Sequence, residues 1–294
     1  MTEKNWRLIN TNYNNAYLNM AIDEALLISE KPVLRLYRWK PAALSLGYSQ
    51  RMDEINLIQC EKLGIDYVRR LTGGKAVLHD KELTYSFIIN EDAMPKRIID
   101  SYMVISNAIL FALKKLGINA YMKESVKMSE TQRVSEHAQM SKKPCFFEHS
   151  QKSMIFDESS IFDKSKSSAI CFNEPSYYEI TAKNKKLVGS AQTRKNSKLL
   201  QHGSILLDID IEKMCSLFRN CNKRTINLSK KRITSLKEIN GNVNCNTLIR
   251  AIKKGFEENF QIRLYDDELS DNELKLAKKL AKEKYSSKQW NFKF

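Results

Sequence analysis

An α+β fold, with a mixed or antiparallel β-sheet core and flanking helices, is predicted by three observations. Strand-like and helix-like segments are interspersed along the chain. Several of the strands lie close enough in sequence to be hairpins. Of the 294 residues, 42% are hydrophobic, which is enough to bury the core of one large catalytic domain.

The elements follow in order. Trp6–Asn10 reads as a short strand. From Asn14 to Ile28, apolar residues at Ala16, Met20, Ala21, Leu26 and Leu27 mark one helix face. Val33–Trp39 alternates as a strand does, Pro41 interrupts, and Ala43–Tyr48 resumes. Asp53–Leu63 is a short helix closed by Gly64. Ile65–Arg70 is a strand that runs into a Thr72-Gly73-Gly74 turn, and Leu83–Ile89 is the next strand. Ile98–Leu116 is a long amphipathic helix ending at Gly117. Residues 123–168 are rich in Ser, Lys, Glu and Gln without a sustained period, and read as an insertion. Ser176–Ala182 alternates, Asn184 and Lys185 mark a hairpin tip, Leu187–Ala191 returns, and Gly203–Ile209 is a further strand. Cys245–Phe260 and Leu269–Lys284 are helical and Lys-rich. The predicted organisation is a catalytic domain over 1–235, carrying the 123–168 insertion, and a small helical C-terminal extension over 236–294.

Composition narrows the function. No run of eighteen apolar residues appears and the start is polar, so neither a membrane span nor a signal peptide is expected, and the location is expected to be cytoplasmic. The six cysteines (60, 145, 171, 215, 221, 245) form no C-x-x-C pair, so reduced thiols are expected, one of them a candidate nucleophile. The net charge of +15 is uneven: Lys plus Arg against Asp plus Glu is 24 to 22 over 1–182 and 25 to 12 over 183–294. A half-chain at +13 suits an acidic partner. Nucleic acid is not expected, because no aromatic-basic recognition motif or zinc-finger spacing accompanies the charge. His137, Cys145 and His149 match no standard zinc pattern, and no metal is expected.

Two blocks carry the chemistry. The first runs Arg69-Arg70-Leu71-Thr72-Gly73-Gly74-Lys75-Ala76-Val77-Leu78-His79-Asp80. A strand delivers two arginines to a tight turn, where glycine backbone can approach a ligand and turn its N–H groups to an acyl carbonyl or phosphate. The second begins Cys171-Phe172-Asn173-Glu174-Pro175 and continues through Lys185-Lys186-Leu187-Val188-Gly189-Ser190-Ala191 to His202-Gly203. It offers a cysteine just ahead of a hairpin and a lysine on the return strand. A neighbouring ammonium stabilises a thiolate, and could also hydrogen-bond an acyl carbonyl as charge develops on it. Lys185 should face outward, and a one-residue slip would exchange it with Lys186. Cys145, in Pro144-Cys145-Phe146-Phe147, is the rival cysteine, but no strand and lysine follow it at that spacing.

The first block resembles the catalytic family of biotin and lipoate protein ligases and octanoyltransferases, whose pattern is Arg-Arg-x-x-Gly-Gly-Gly-x-Val-x-His-Asp. Lys75 stands where the third glycine would be, which resembles the cysteine-dependent octanoyltransferase branch. The resemblance implies that Arg70, Thr72, Gly73, Gly74, Lys75 and His79 bind substrate. It implies Cys171 as acyl carrier and Lys186 as the lysine that lowers its pKa, with Gly189, Ser190 and Ala191 lining the pocket and His202 and Gly203 near its wall. His79 could equally be a hydrogen-bonded structural residue. The tail around Trp290 also resembles the family and is expected to have a docking role. The implied reaction moves octanoyl from octanoyl-acyl-carrier protein to a lysine of a lipoyl domain or glycine cleavage H protein, through a Cys171 thioester. It is the first step of endogenous lipoate biosynthesis, and it requires neither ATP nor any cofactor. A monomer is expected. The alternatives are an ATP-dependent lipoate–protein ligase, with Lys186 holding an acyl-adenylate, and an octanoyl amidotransferase between lipoyl-bearing proteins. Lys75, Cys171 and the short C-terminal part argue against the ligase.

Overall fold

A computed structural model describes residues 4–122 and 179–294, and the expected 123–168 insertion lies outside them. The strands are β1 Asn5–Asn14, β2 Val33–Trp39, β3 Ala43–Leu46, β4 Asp66–Arg69, β5 Val77–His79, β6 Glu82–Asn90, β7 Ala120–Met122, β8 Ile180–Ala182, β9 Lys185–Lys195, β10 Lys198–Leu206 and β11 Arg263–Asp267. Eight of them form one sheet in the order β11-β1-β2-β6-β10-β9-β8-β7, while β4, β3 and β5 form a smaller one. β1 runs parallel to β11 and β2, whereas β2, β6, β10, β9 and β8 are successively antiparallel. The expected α+β fold with a mixed sheet is the one observed.

The antiparallel run is built by tight turns. Lys183 and Asn184 have φ of 50° and 61°, and Asn196 and Ser197 have 53° and 57°, the left-handed pairs that two-residue hairpins need. The first tip is one residue earlier than Asn184–Lys185, so Lys185 already opens β9. That placement decides which of the two lysines faces inward.

Apolar side chains from both faces of the large sheet fix its layers. On one face the helices Ile98–Lys115 and Cys245–Phe260 pack together over Trp6, Phe87 and Ile205, with Ile109, Leu113 and Phe256 fully buried. On the other, the helix Ala16–Ala25 packs against Asp271–Leu280 over Tyr37, Ile88 and Leu200. Each such Leu, Ile or Phe contributes roughly 1.5–3 kcal/mol of burial. The small sheet is covered by Ile211, Met214, Phe218 and Ile233, which pack on Leu44, Val77 and Leu78.

Residues 236–294 contribute β11 to the sheet edge as well as helices. The helical expectation for this region omitted that strand because Arg263–Asp267 is short, charged, and buried only at Leu264. The helix Lys223–Arg232 was also missed: only Ser229 is buried in it, so no apolar stripe marks it. One pair of thiols lies close together. Cys215 and Cys221 face each other with Cα atoms 5.5 Å apart, because the end of the helix Ile211–Ser216 turns back on the next loop. Among the described residues, no helix is long and apolar enough to cross a membrane.

Candidate active site

The Arg69–His79 block forms one wall. Arg69 is fully buried, and its guanidinium donates to the carbonyls of Gly47 (2.8 Å), Tyr48 (3.1 Å), Gln50 (2.6 Å) and Asn291 (2.6 Å). Arg70 donates to the carbonyl of Ser45 (2.7 Å) and to those of Gly73 (2.8 Å) and Lys75 (3.0 Å), closing the turn on itself. Gly74 sits at φ +89°, and a Cβ on Gly47 would lie 1.8 Å from the Gly74 carbonyl oxygen. Glycine at 47 is therefore what lets the two turns touch. The tail docks on this wall, since the Asn291 side chain accepts the Arg69 N–H (2.8 Å) and the Trp290 indole donates to the Arg69 carbonyl (2.9 Å).

Between this wall and strands β9 and β10 lies an apolar-lined cavity with about 430 Å³ of empty space, part of it open to solvent. Of the sequence-predicted residues, Arg70, Gly74, His79, Gly189, Ser190, Ala191, His202 and Gly203 all line it. Two blocks more than a hundred residues apart thus meet across one space. Gly203 sets its width: a Cβ there would lie 2.3 Å from Ser190 Oγ and 2.5 Å from the Tyr85 ring. Thr72, Gly73 and Lys75 belong to the turn behind the lining.

Both histidines of the cavity are held at both nitrogens. His79 Nε2 is 2.7 Å from Ser45 Oγ, its Nδ1 is 2.6 Å from Glu82 Oε1, and Trp39 stacks on its ring at 4.0 Å. His202 Nε2 is 2.6 Å from Thr72 Oγ1, and its Nδ1 is 3.1 Å from Asp23 Oδ2. Burial pushes the His202 imidazole below its ordinary value, against the pull of Asp23. For Asp23, burial works to raise the carboxyl, but Arg35 at 2.6 Å and His202 outweigh it and hold the group below the usual range.

Lys186 and Lys185 point to opposite faces. The Lys186 ammonium is buried and paired with the buried Glu179 carboxylate, whereas Lys185 reaches out to Glu238 at 2.7 Å. The Lys186 carbonyl accepts the Thr234 N–H at 3.0 Å, which ties this end of β9 to the segment after the helix Lys223–Arg232. Lys186 is not among the residues that line the cavity. Cys171, Cys145, His137 and His149 lie outside the described residues.

Sequence reasoning missed Asp23, Ser45, Gly47, Trp39 and Glu179 as parts of this region. One signal was available. Asp23 stands three residues after Met20, on the face of its helix that also carries Ala16 and Leu27, and an acid on an apolar face is a candidate for a buried partner. Gly47 and Ser45 carried no such mark, because their roles depend on a turn that is distant in sequence.

A family model, the lipoyl protein ligase A/B catalytic domain, matches residues 15–257, and the chain belongs to this family. Its full-length relatives narrow the class further. The chain is 38% identical to "Octanoyltransferase LipM" of Bacillus subtilis (strain 168) over all of both chains, and 38% identical to "Octanoyltransferase LipM" of Clostridioides difficile (strain 630) over 98% of each. Among solved structures, lipoate-protein ligase A bound with ATP superposes with a TM-score of 0.73 at 24% identity, covering 98% of each chain, a likeness that establishes the fold.

Proposed function

We propose that this chain takes octanoyl from the thioester of an acyl carrier protein onto Cys171 and passes it to a lysine of a lipoyl domain or glycine cleavage H protein. The chain is an acyltransferase, and octanoyl transfer in lipoate biosynthesis is the activity that its full-length relatives carry by name. The observation that carries the reading is the convergence of the two sequence blocks on one apolar cavity, which suits a saturated acyl chain.

The described cysteines support Cys171 as the carrier. Burial pushes the Cys60 thiol up to about 11 and raises that of Cys245, while Cys215 and Cys221 lie against each other away from the cavity lining. Burial therefore works against a thiolate at Cys60 and Cys245. Cys171 stands eight residues before Glu179 and fifteen before Lys186, the buried ion pair on β8–β9. The thiolate would attack the carrier thioester, releasing the carrier's thiol, and the acceptor amine would then displace Cys171 to leave an amide. Exchange of thioester for amide is downhill, so the scheme uses neither ATP nor a metal.

Both protein substrates would approach a basic chain. From Lys213 to Lys237 the sequence has eight Lys and Arg and no Asp or Glu, and this stretch borders Lys186 through Thr234. Such a face suits acidic carriers and acidic lipoyl domains. The test is transfer to a lipoyl domain with two donor systems. Octanoyl-acyl-carrier protein alone is expected to modify the domain. Modification only from free octanoate or lipoate with ATP would make the chain a ligase instead.

A further inference from the structure

The helix Lys223–Arg232 buries only Ser229 of its ten residues. Ile226 and Ser229 face the protein, Ile226 packing on the apolar cluster that covers the small sheet. Opposite them, Arg224, Leu228 and Lys231 stand at i, i+4 and i+7, so they share one face, and all three are exposed. Of the flanking acids, Glu212 pairs with Lys230 at 2.7 Å, Asp208 with Lys237 at 3.0 Å and Glu238 with Lys185 at 2.7 Å, while Asp210 caps the helix Ile211–Ser216. Among the described residues, Lys223, Arg224 and Lys231 form no ion pair. The face is therefore cationic, with one apolar side chain, Leu228, 39% exposed between its charges.

The end of this helix is fastened to the candidate site. Ile233 bridges to Lys186, and the Thr234 N–H donates to the Lys186 carbonyl at 3.0 Å, at the end of β9 that holds the Lys186–Glu179 pair. None of the helix's own residues lines the cavity, however. That separation decides which of two acidic partners the face suits. An acyl carrier protein presents its thioester at the end of a long, flexible pantetheine arm, so it can dock away from the point of delivery. An acceptor offers a single lysine, whose four-carbon stem obliges the acceptor's own backbone to come close to the reacting carbon.

We propose that the face formed by Arg224, Leu228 and Lys231 is the docking surface for the acyl carrier protein, and that the acceptor protein docks elsewhere. This deepens the octanoyl-transfer reading and rests on it. Complementary charge across such a contact speeds encounter and selects the partner, and salt screens it. Leu228 supplies an apolar contact at the centre of the patch, where interfaces are least charged. Docking precedes the chemistry, so loss of the face should weaken capture of the carrier and leave turnover alone.

The experiment measures steady-state transfer by the full-length enzyme, varying octanoyl-acyl-carrier protein, octanoyl-pantetheine and a lipoyl domain in turn. The double variant Arg224→Glu, Lys231→Glu should raise the KM for octanoyl-acyl-carrier protein by roughly tenfold and leave kcat within about twofold. It should keep the wild-type kcat/KM with octanoyl-pantetheine, which has the arm and no protein, and the wild-type KM for the lipoyl domain. Added salt should raise the wild-type KM for the carrier more than the variant's. Arg224→Gln with Lys231→Gln gives the same test at smaller amplitude should the reversed variant not fold. An unchanged KM for the carrier, an equal loss with octanoyl-pantetheine, or a KM for the lipoyl domain that rises as much would overturn the assignment. A wild-type enzyme that forms no octanoyl adduct from either donor would overturn the transfer reading itself, whereas normal wild-type transfer with an indifferent variant counts against the docking face alone.

Discussion

The Arg-Arg turn and the β8–β9 hairpin use their cations in opposite ways. In the turn, Arg69 and Arg70 spend their donors on backbone carbonyls of Ser45, Gly47, Gln50, Gly73, Lys75 and Asn291. In the hairpin, the Lys186 ammonium pairs with the Glu179 carboxylate. The more conspicuous motif is therefore architecture, holding the wall of the cavity in place. The less conspicuous one keeps a buried ammonium paired with Glu179, eight residues after Cys171 in the sequence.

This contrast predicts that the turn acts mainly on stability, whereas the hairpin acts on rate as well as stability. In the turn, the largest stability effect belongs to Arg69→Ala, which strips the donor from four backbone carbonyls, three of them in buried hydrogen bonds. An unmet buried acceptor costs about 1–3 kcal/mol, so a loss of roughly 3–5 kcal/mol is expected in denaturant unfolding. A variant as stable as wild type would break the comparison. Gly47→Ala comes next, because its methyl group meets the Gly74 carbonyl backbone and forces the two turns apart. An expected loss of about 2–4 kcal/mol and a weakened acyl-binding step would be read by thermal melting and acylation kinetics. Lys186→Met should cut acyl transfer by about 10²-fold and raise the pH at which Cys171 is alkylated, and by leaving the buried Glu179 without its partner it should also cost roughly 3–5 kcal/mol of stability. An alkylation profile that does not move would remove the pKa role from Lys186. The smallest effect is expected at the neighbouring position. Lys185→Ala breaks only a part-exposed pair with Glu238, worth about 0.2–1 kcal/mol at most, and should leave turnover within about twofold.

Much of this was legible in the sequence. Alternation and helix periodicity placed the larger elements, and the two blocks named eight of the residues that line the cavity. The hairpin tip was misplaced by one residue, since Lys183 rather than Lys185 shares the left-handed pair with Asn184, yet the inward residue was still Lys186. What stayed hidden had physical reasons. β11 and the helix Lys223–Arg232 bury too little to leave a pattern. Ser45, Gly47 and Glu179 gain their roles from contacts made only after folding, and Asp23 showed itself only as an acid on an apolar face. The proximity of Cys215 and Cys221 arose from a helix end and loop that spacing alone does not reveal.

The central claim is covalent transfer through Cys171, and intact-protein mass spectrometry tests it most directly. The enzyme is mixed with octanoyl-acyl-carrier protein in the absence of ATP, with wild type and Cys171→Ala measured side by side. The account predicts one octanoyl adduct on wild type, labile to hydroxylamine and discharged by a lipoyl domain, and none on the variant. No adduct on wild type, or an equal adduct on Cys171→Ala, would contradict it.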